Sequence, residues 1–134
     1  VTVGCDEYAI TCVSMGNPHC VVFCDDPSAL DLETLGPKFE RASYFPERIN
    51  TEFVRIVNED TLRMRVYERG NGETVACGTG ACAAVIAATE NGFVEKGKDI
   101  TVKLVGGDLV VKYTDHEVIL TGDAVLVYEG VVEY

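Results

Sequence analysis

The chain has 134 residues, 47% of them apolar and 25% charged, with 11 Lys plus Arg against 22 Asp plus Glu and a net charge of −11. That length suits a single domain, 1–134, the composition excludes a disordered or low-complexity chain, and the negative field repels phosphate backbones, so no nucleic-acid partner is expected. The longest apolar run, Ala81 to Ala88, is far below the roughly 18 to 20 residues of a membrane span.

The start at Val1 has neither a basic leader nor an apolar h-region, so no signal peptide is expected. It also lacks an initiator Met, which points to a processed chain or a piece of a longer one. Tyr8 to Val13 and Cys20 to Phe23 are rich in β-branched, aromatic and apolar residues and predict strands. Asp25 to Ser28 supplies capping residues for a short helix over Leu30 to Arg41, with Leu32, Leu35 and Phe39 near helical spacing and Gly36-Pro37 expected to bend or split it. Glu52 to Val57 and Leu62 to Tyr67 predict two more strands around the Asn58-Glu59-Asp60 turn. The stretch from Thr79 to Asn91 carries no charge before Glu90 and predicts a helix that protein surrounds on every side. Two hairpins follow, Ile100–Val105 with Leu109–Tyr113 and Glu117–Thr121 with Ala124–Tyr128. The fold class is therefore α+β: a mostly antiparallel, barrel-like layer wrapped around one buried helix, with a second, shorter helix.

Six cysteines without regular spacing or a C-x-x-C pair read as reduced thiols of a cytoplasmic protein. His19 and His116 lie too far apart for a zinc-finger spacing, so no metal site is expected. The densest chemical signal runs from Glu68 to Gly80. Gly78, Thr79 and Gly80 leave backbone N–H groups unpaired at a helix start, where the dipole adds partial positive charge. The same field favours the thiolate of Cys77 and is expected to lower its pKa, placing a base beside a pocket for a carboxylate or phosphate. Equally, the glycines could serve only a tight turn and Cys77 could be a small core residue. Gly78 to Ala83 also fits G-x-G-x-x-A, but dinucleotide binding needs a βαβ unit, and a Gly-Gly-Asp hairpin rather than a parallel strand followed by another helix is expected after this helix. Met15-Gly16-Asn17-Pro18-His19 and Pro46-Glu47-Arg48-Ile49-Asn50 present further polar residues at strand ends, where a turn Asn or a structural His would also fit.

Met15-Gly16-Asn17-Pro18-His19, Glu47-Arg48-Ile49-Asn50, Tyr67-Glu68-Arg69-Gly70 and Ala76-Cys77-Gly78-Thr79-Gly80 together resemble, in order and spacing, the C-terminal half of the diaminopimelate epimerases. The resemblance implies a two-domain, cofactor-independent enzyme of lysine synthesis, each half wrapping strands around a helix, with LL-diaminopimelate converted to the meso form in the cleft between them. Two cysteines, one per half, would exchange the α-proton from opposite faces. Cys77 matches the cysteine of the second half; the Cys-Gly-Asn-type motif of the first half does not occur here. By the same resemblance Glu68 lies near the reacting amino group, and Gly78 and Thr79 grip the adjacent carboxylate. Asn17, Asn50 and Arg69 hold the distal end, and His19 is catalytic in association with the other half's cysteine. Cys5, Cys12, Cys20, Cys24 and Cys82 match no catalytic position and are expected to be packed in the interior. The expected partners are the N-terminal half, with which the last strand, about 125–134, would associate, and a second copy in a homodimer. A proline-racemase-like relative and a non-catalytic binding or assembly domain are the alternatives.

Overall fold

The computed structural model describes residues Val1–Tyr134. In chain order the elements are β1 (Thr2–Val3), β2 (Asp6–Glu7), β3 (Thr11–Ser14), β4 (Pro18–Phe23), α1 (Leu32–Glu40), β5 (Asn50–Asn58), β6 (Thr61–Glu68), β7 (Gly72–Thr74), α2 (Gly78–Glu90), β8 (Asp99–Leu104), β9 (Gly107–Tyr113) and β10 (Val118–Thr121). A small β1–β2 ribbon stands apart, and eight strands form one sheet in the order β10-β9-β8-β6-β5-β4-β3, with β7 pairing β6. Most pairs are antiparallel, as hairpin turns require. The exceptions are β4 with β5 and β6 with β8, which are parallel. A parallel pair needs a crossover, and helices supply both: α1 connects β4 to β5, and α2 lies between β6–β7 and β8. β8 is thus parallel to β6 across the α2 crossover, but it runs directly into the β8–β9 hairpin and no helix follows, as the sequence suggests.

The two crossovers lie on opposite faces. Alternation along β4 and β5 sends Cys20, Val22 and Phe53 to one side, where they pack with Leu32 and Phe39 of α1; it sends Val21 and Val54 to the other, where they meet α2. Phe39 is edge-on to Tyr8 and Phe53, with ring centroids 4.9 and 5.4 Å away. This anchoring explains why α1 remains a single helix across Gly36-Pro37. Gly36 is pressed against the ring of Tyr67, and a Cβ there would lie 2.1 Å from Cδ2.

On the other face, Ala81 to Val85, Ala87 and Ala88 of α2 are all buried. Alanine and cysteine side chains let strands approach from several directions, and α2 touches β3, β4, β5, β6, β8, β9 and β10. The sheet thus curls into a half-barrel around it. Two expectations are corrected here. Residues 122–134 form no strand, because nothing pairs their backbone, and Val125, Val127 and Tyr128 are more than 80% exposed. Cys20 and Cys82 are buried as expected, but Cys5 and Cys12 are exposed; Cys5 lies in the β1–β2 turn and Cys12 on the edge strand β3.

Candidate active site at the start of the buried helix

Side chains with the same parity share a sheet face. His19 shares its face with Val21, Glu52 with Val54, and Glu68 with Val66, so all three project toward α2. Parallel β4 and β5 begin at the same sheet end where antiparallel β6 finishes, so these side chains converge at the first turn of α2. There Cys77 is the N-cap, and its sulfur accepts the Gly80 N–H at 3.3 Å. The amides of Gly78 and Thr79 meet no acceptor in the chain, as expected for the orphan donors of a helix start.

The half-buried Cys77 sulfur is 3.6 Å from Thr79 Oγ1. Thr79 Oγ1 accepts from Asn17 Nδ2 at 3.2 Å and lies 3.1 Å from His19 Nε2. His19 Nε2 is also 3.2 Å from Asn17 Oδ1, while Nδ1 is 2.6 Å from Glu52 Oε1, both side chains being fully buried. His19 therefore reaches the open side only through Asn17 and Thr79. Burial is the chief force on Cys77, and it pushes the thiol above its ordinary range. The bonds from Thr79 and Gly80 pull it back, and the charges of Glu68 and Glu52 push it further up. The expected lowering is not found: desolvation, with the two nearby carboxylates adding to it, outweighs the bonds from Thr79 and Gly80.

Glu68 is half-buried and has no side-chain partner. The Arg69 guanidinium is exposed, bonded only to the Glu47 carbonyl at 3.2 Å, and opposed by no carboxylate. Asn50 is committed internally: its Nδ2 donates to the Pro18 carbonyl and its Oδ1 accepts the Arg69 N–H, each at 2.8 Å. It holds the turn that carries Arg69 against the head of β4. Buried Glu40 does the same from α1, its Oε1 accepting the Gly70 N–H at 2.8 Å and facing Arg48 Nη1 at 3.4 Å.

Cys77, Gly78, Thr79, Asn17, His19 and Glu68 thus gather at one end of α2, and Asn50 and Arg69 flank them. Sequence reasoning missed Glu52 and Glu40. For Glu52 a signal existed, an acidic residue in register with Val54 on the buried face of an otherwise apolar strand. The G-x-G-x-x-A reading fails on topology, since β8 passes directly into the β8–β9 hairpin and no second helix follows.

A curled sheet closed around a buried helix places the chain in a fold class that includes solved structures. One is a phenazine biosynthesis protein of the PhzF family from Bacillus anthracis, with TM-score 0.55 and 25% identity over 78% of this chain and 34% of that one. Another is a PhzF family protein from Enterococcus faecalis, with TM-score 0.54 and 15% identity over 81% of this chain and 40% of that one. Within that class the chain belongs to the diaminopimelate epimerase family, whose sequence pattern matches residues 11–127. A diaminopimelate epimerase of Bacillus cereus is 56% identical over 129 residues, and one of Bacillus anthracis is 54% identical. Each alignment covers 96% of this chain and 45% of the relative, so the chain spans about half the length of the curated relatives it matches.

Proposed function

We propose that the chain forms one wall of a diaminopimelate epimerase cleft and supplies one of two sulfur acid/bases in a cofactor-independent, two-base inversion of LL- to meso-diaminopimelate. The observation that carries this reading is the half-buried Cys77 sulfur at the N-cap of α2, beside the unpaired amides of Gly78 and Thr79. A thiolate from the other half removes the α-proton and the electron pair moves toward the carboxylate. Cys77 S–H then delivers its proton to the opposite face, leaving Cys77 as thiolate and the partner as thiol; exchange with water reprotonates Cys77 and deprotonates the partner before the next LL substrate. A thiol held above its ordinary range is protonated at neutral pH, the form a donor needs. Charge accumulating on the α-carboxylate oxygens is where the free amides are worth most. Glu68, with no internal partner, receives the ammonium on the reacting carbon, and the exposed Arg69 guanidinium suits the distal carboxylate.

The setting for this reaction is cytoplasmic, and the partners are an N-terminal half bearing the second cysteine and a second copy of the enzyme. No helix here is long and apolar enough to cross a membrane. Conversion of LL- to meso-diaminopimelate by the chain recombined with such a half, and its loss in Cys77→Ala, tests the reading. Conversion undiminished by that substitution would refute it.

A further inference from the structure

We propose that Glu52 is a positioning residue which, through His19 and Thr79, aims a hydroxyl proton at the Cys77 sulfur. The inference deepens the role given above to Cys77 and rests on it. Its geometry is a line of contacts. Glu52 Oε1 lies 2.6 Å from His19 Nδ1, His19 Nε2 lies 3.1 Å from Thr79 Oγ1, and Thr79 Oγ1 lies 3.6 Å from Cys77 Sγ.

The polarity of that line follows from counting donors. Asn17 Nδ2 donates to Thr79 Oγ1, so its Oδ1, 3.2 Å from His19 Nε2, needs a donor. In the proposed line Nε2 supplies it, carrying a proton shared between Asn17 Oδ1 and Thr79 Oγ1. A hydroxyl has two lone pairs and one proton. With its lone pairs facing Asn17 and His19, Thr79 has its proton left for sulfur. Sulfur then receives two donors, Thr79 O–H and Gly80 N–H.

Glu52 fixes the first step. Nε2 stays protonated in the neutral ring only if Nδ1 accepts from a carboxylic acid, and in the imidazolium only if Nδ1 donates to a carboxylate. In both states one proton lies between Nδ1 and Oε1, and Glu52 is needed to hold it. Burial raises the Glu52 carboxyl above its ordinary range while His19 opposes that shift. Oε2 is buried without a partner, consistent with a side chain committed to His19 alone. Room for it exists because residue 80 lacks a Cβ, which would lie 2.8 Å from Oε1.

Charge and positioning predict opposite signs, which makes the idea testable in the chain without substrate or activity. The charged and titratable groups facing Cys77 are Glu68 from β6, Glu52 from β5, His19 from β4 through Thr79, and Cys82 within α2. As a bare negative charge, Glu52 raises the Cys77 thiol, so its removal would speed iodoacetamide alkylation at fixed pH. As a positioning residue, its loss costs sulfur a donor.

We expect Glu52→Leu to slow alkylation of Cys77 on the order of 3- to 10-fold below the midpoint, the worth of one modest hydrogen bond. Glu52→Gln, whose amide N–H can donate to Nδ1, restores the rate. Thr79→Val, at an exposed position, slows it similarly, and combining it with Glu52→Leu adds nothing more. Nitrogen-15 NMR of the unsubstituted chain should find His19 Nε2 protonated. An unprotonated Nε2, faster alkylation in Glu52→Leu, or an unchanged rate in Thr79→Val would overturn the proposal. None of these results depends on the substrate assigned to the cleft, so an inactive recombined enzyme would leave this test intact.

Discussion

Replacing Gly36 by alanine probes the contact that holds α1 beneath the strand carrying Glu68. The added Cβ would meet Tyr67 at 2.1 Å from Cδ2, 2.3 Å from Cγ and 2.6 Å from Cε2, where carbon atoms normally rest about 3.5 to 4.0 Å apart. Cγ is the root of the ring, so rotation about χ2 cannot clear it, and either Tyr67 or α1 must move. Overpacking of this kind costs about 1 to 3 kcal/mol, against a gain of about 1 kcal/mol from alanine in a helix interior. The net is a loss of up to about 2 kcal/mol, corresponding to a fall in Tm of up to roughly 10 °C. Urea and thermal unfolding of Gly36→Ala measure it. A double-mutant cycle isolates the cause: in a Tyr67→Ala background the same change should be neutral or stabilising. Equal destabilisation in both backgrounds, or a more stable Gly36→Ala in the parent, would refute the packing argument.

Cys20, Cys24, Cys77 and Cys82 all have thiols raised above the ordinary 9.0, chiefly by burial. Their contribution to stability is complete below that value and is lost as pH rises through the folded-state values, because the unfolded thiols ionise first. Urea midpoints should therefore fall above about pH 9, less steeply in a Cys20→Ala, Cys82→Ala chain; an identical slope would contradict this. Residues 124–134 are exposed throughout, so their deletion should leave Tm unchanged while reducing concentration-dependent association in light scattering. A clear drop in Tm would show that the tail is packed.

Strand alternation, the apolar all-round pattern of α2 and the motif glycines made the half-barrel legible in the sequence, because each depends on near neighbours. The place of Cys77 beside a helix start was equally local. Long-range pairing was not legible. The parallel β6–β8 pair joins residues on either side of α2, and no local pattern distinguishes it from a hairpin edge. The Ala124–Tyr128 run has strand composition, yet composition cannot supply a strand with a neighbour. The direction of the Cys77 shift is not legible for the same reason: the helix start is adjacent in sequence, whereas the burial that chiefly raises the thiol, and the charges of Glu68 and Glu52 that add to it, come from separate strands. The resemblance gives Asn50 a place at the distal end of the substrate, and only the folded contacts add that its amide also holds Pro18 and Arg69.

Isotope tracing tests the role of Cys77 most directly. LL-diaminopimelate is turned over in D2O by the chain recombined with an N-terminal half bearing the partner cysteine, and deuterium is read separately in substrate and product during the first few per cent of conversion. If the partner thiolate takes the α-proton and Cys77 returns another from the opposite face, the meso product carries solvent deuterium at the inverted carbon while remaining LL substrate stays protiated, and Cys77→Ala yields no meso product. Product that retains the substrate's own protium, or inversion that survives Cys77→Ala, would contradict the assignment of this sulfur as the proton donor.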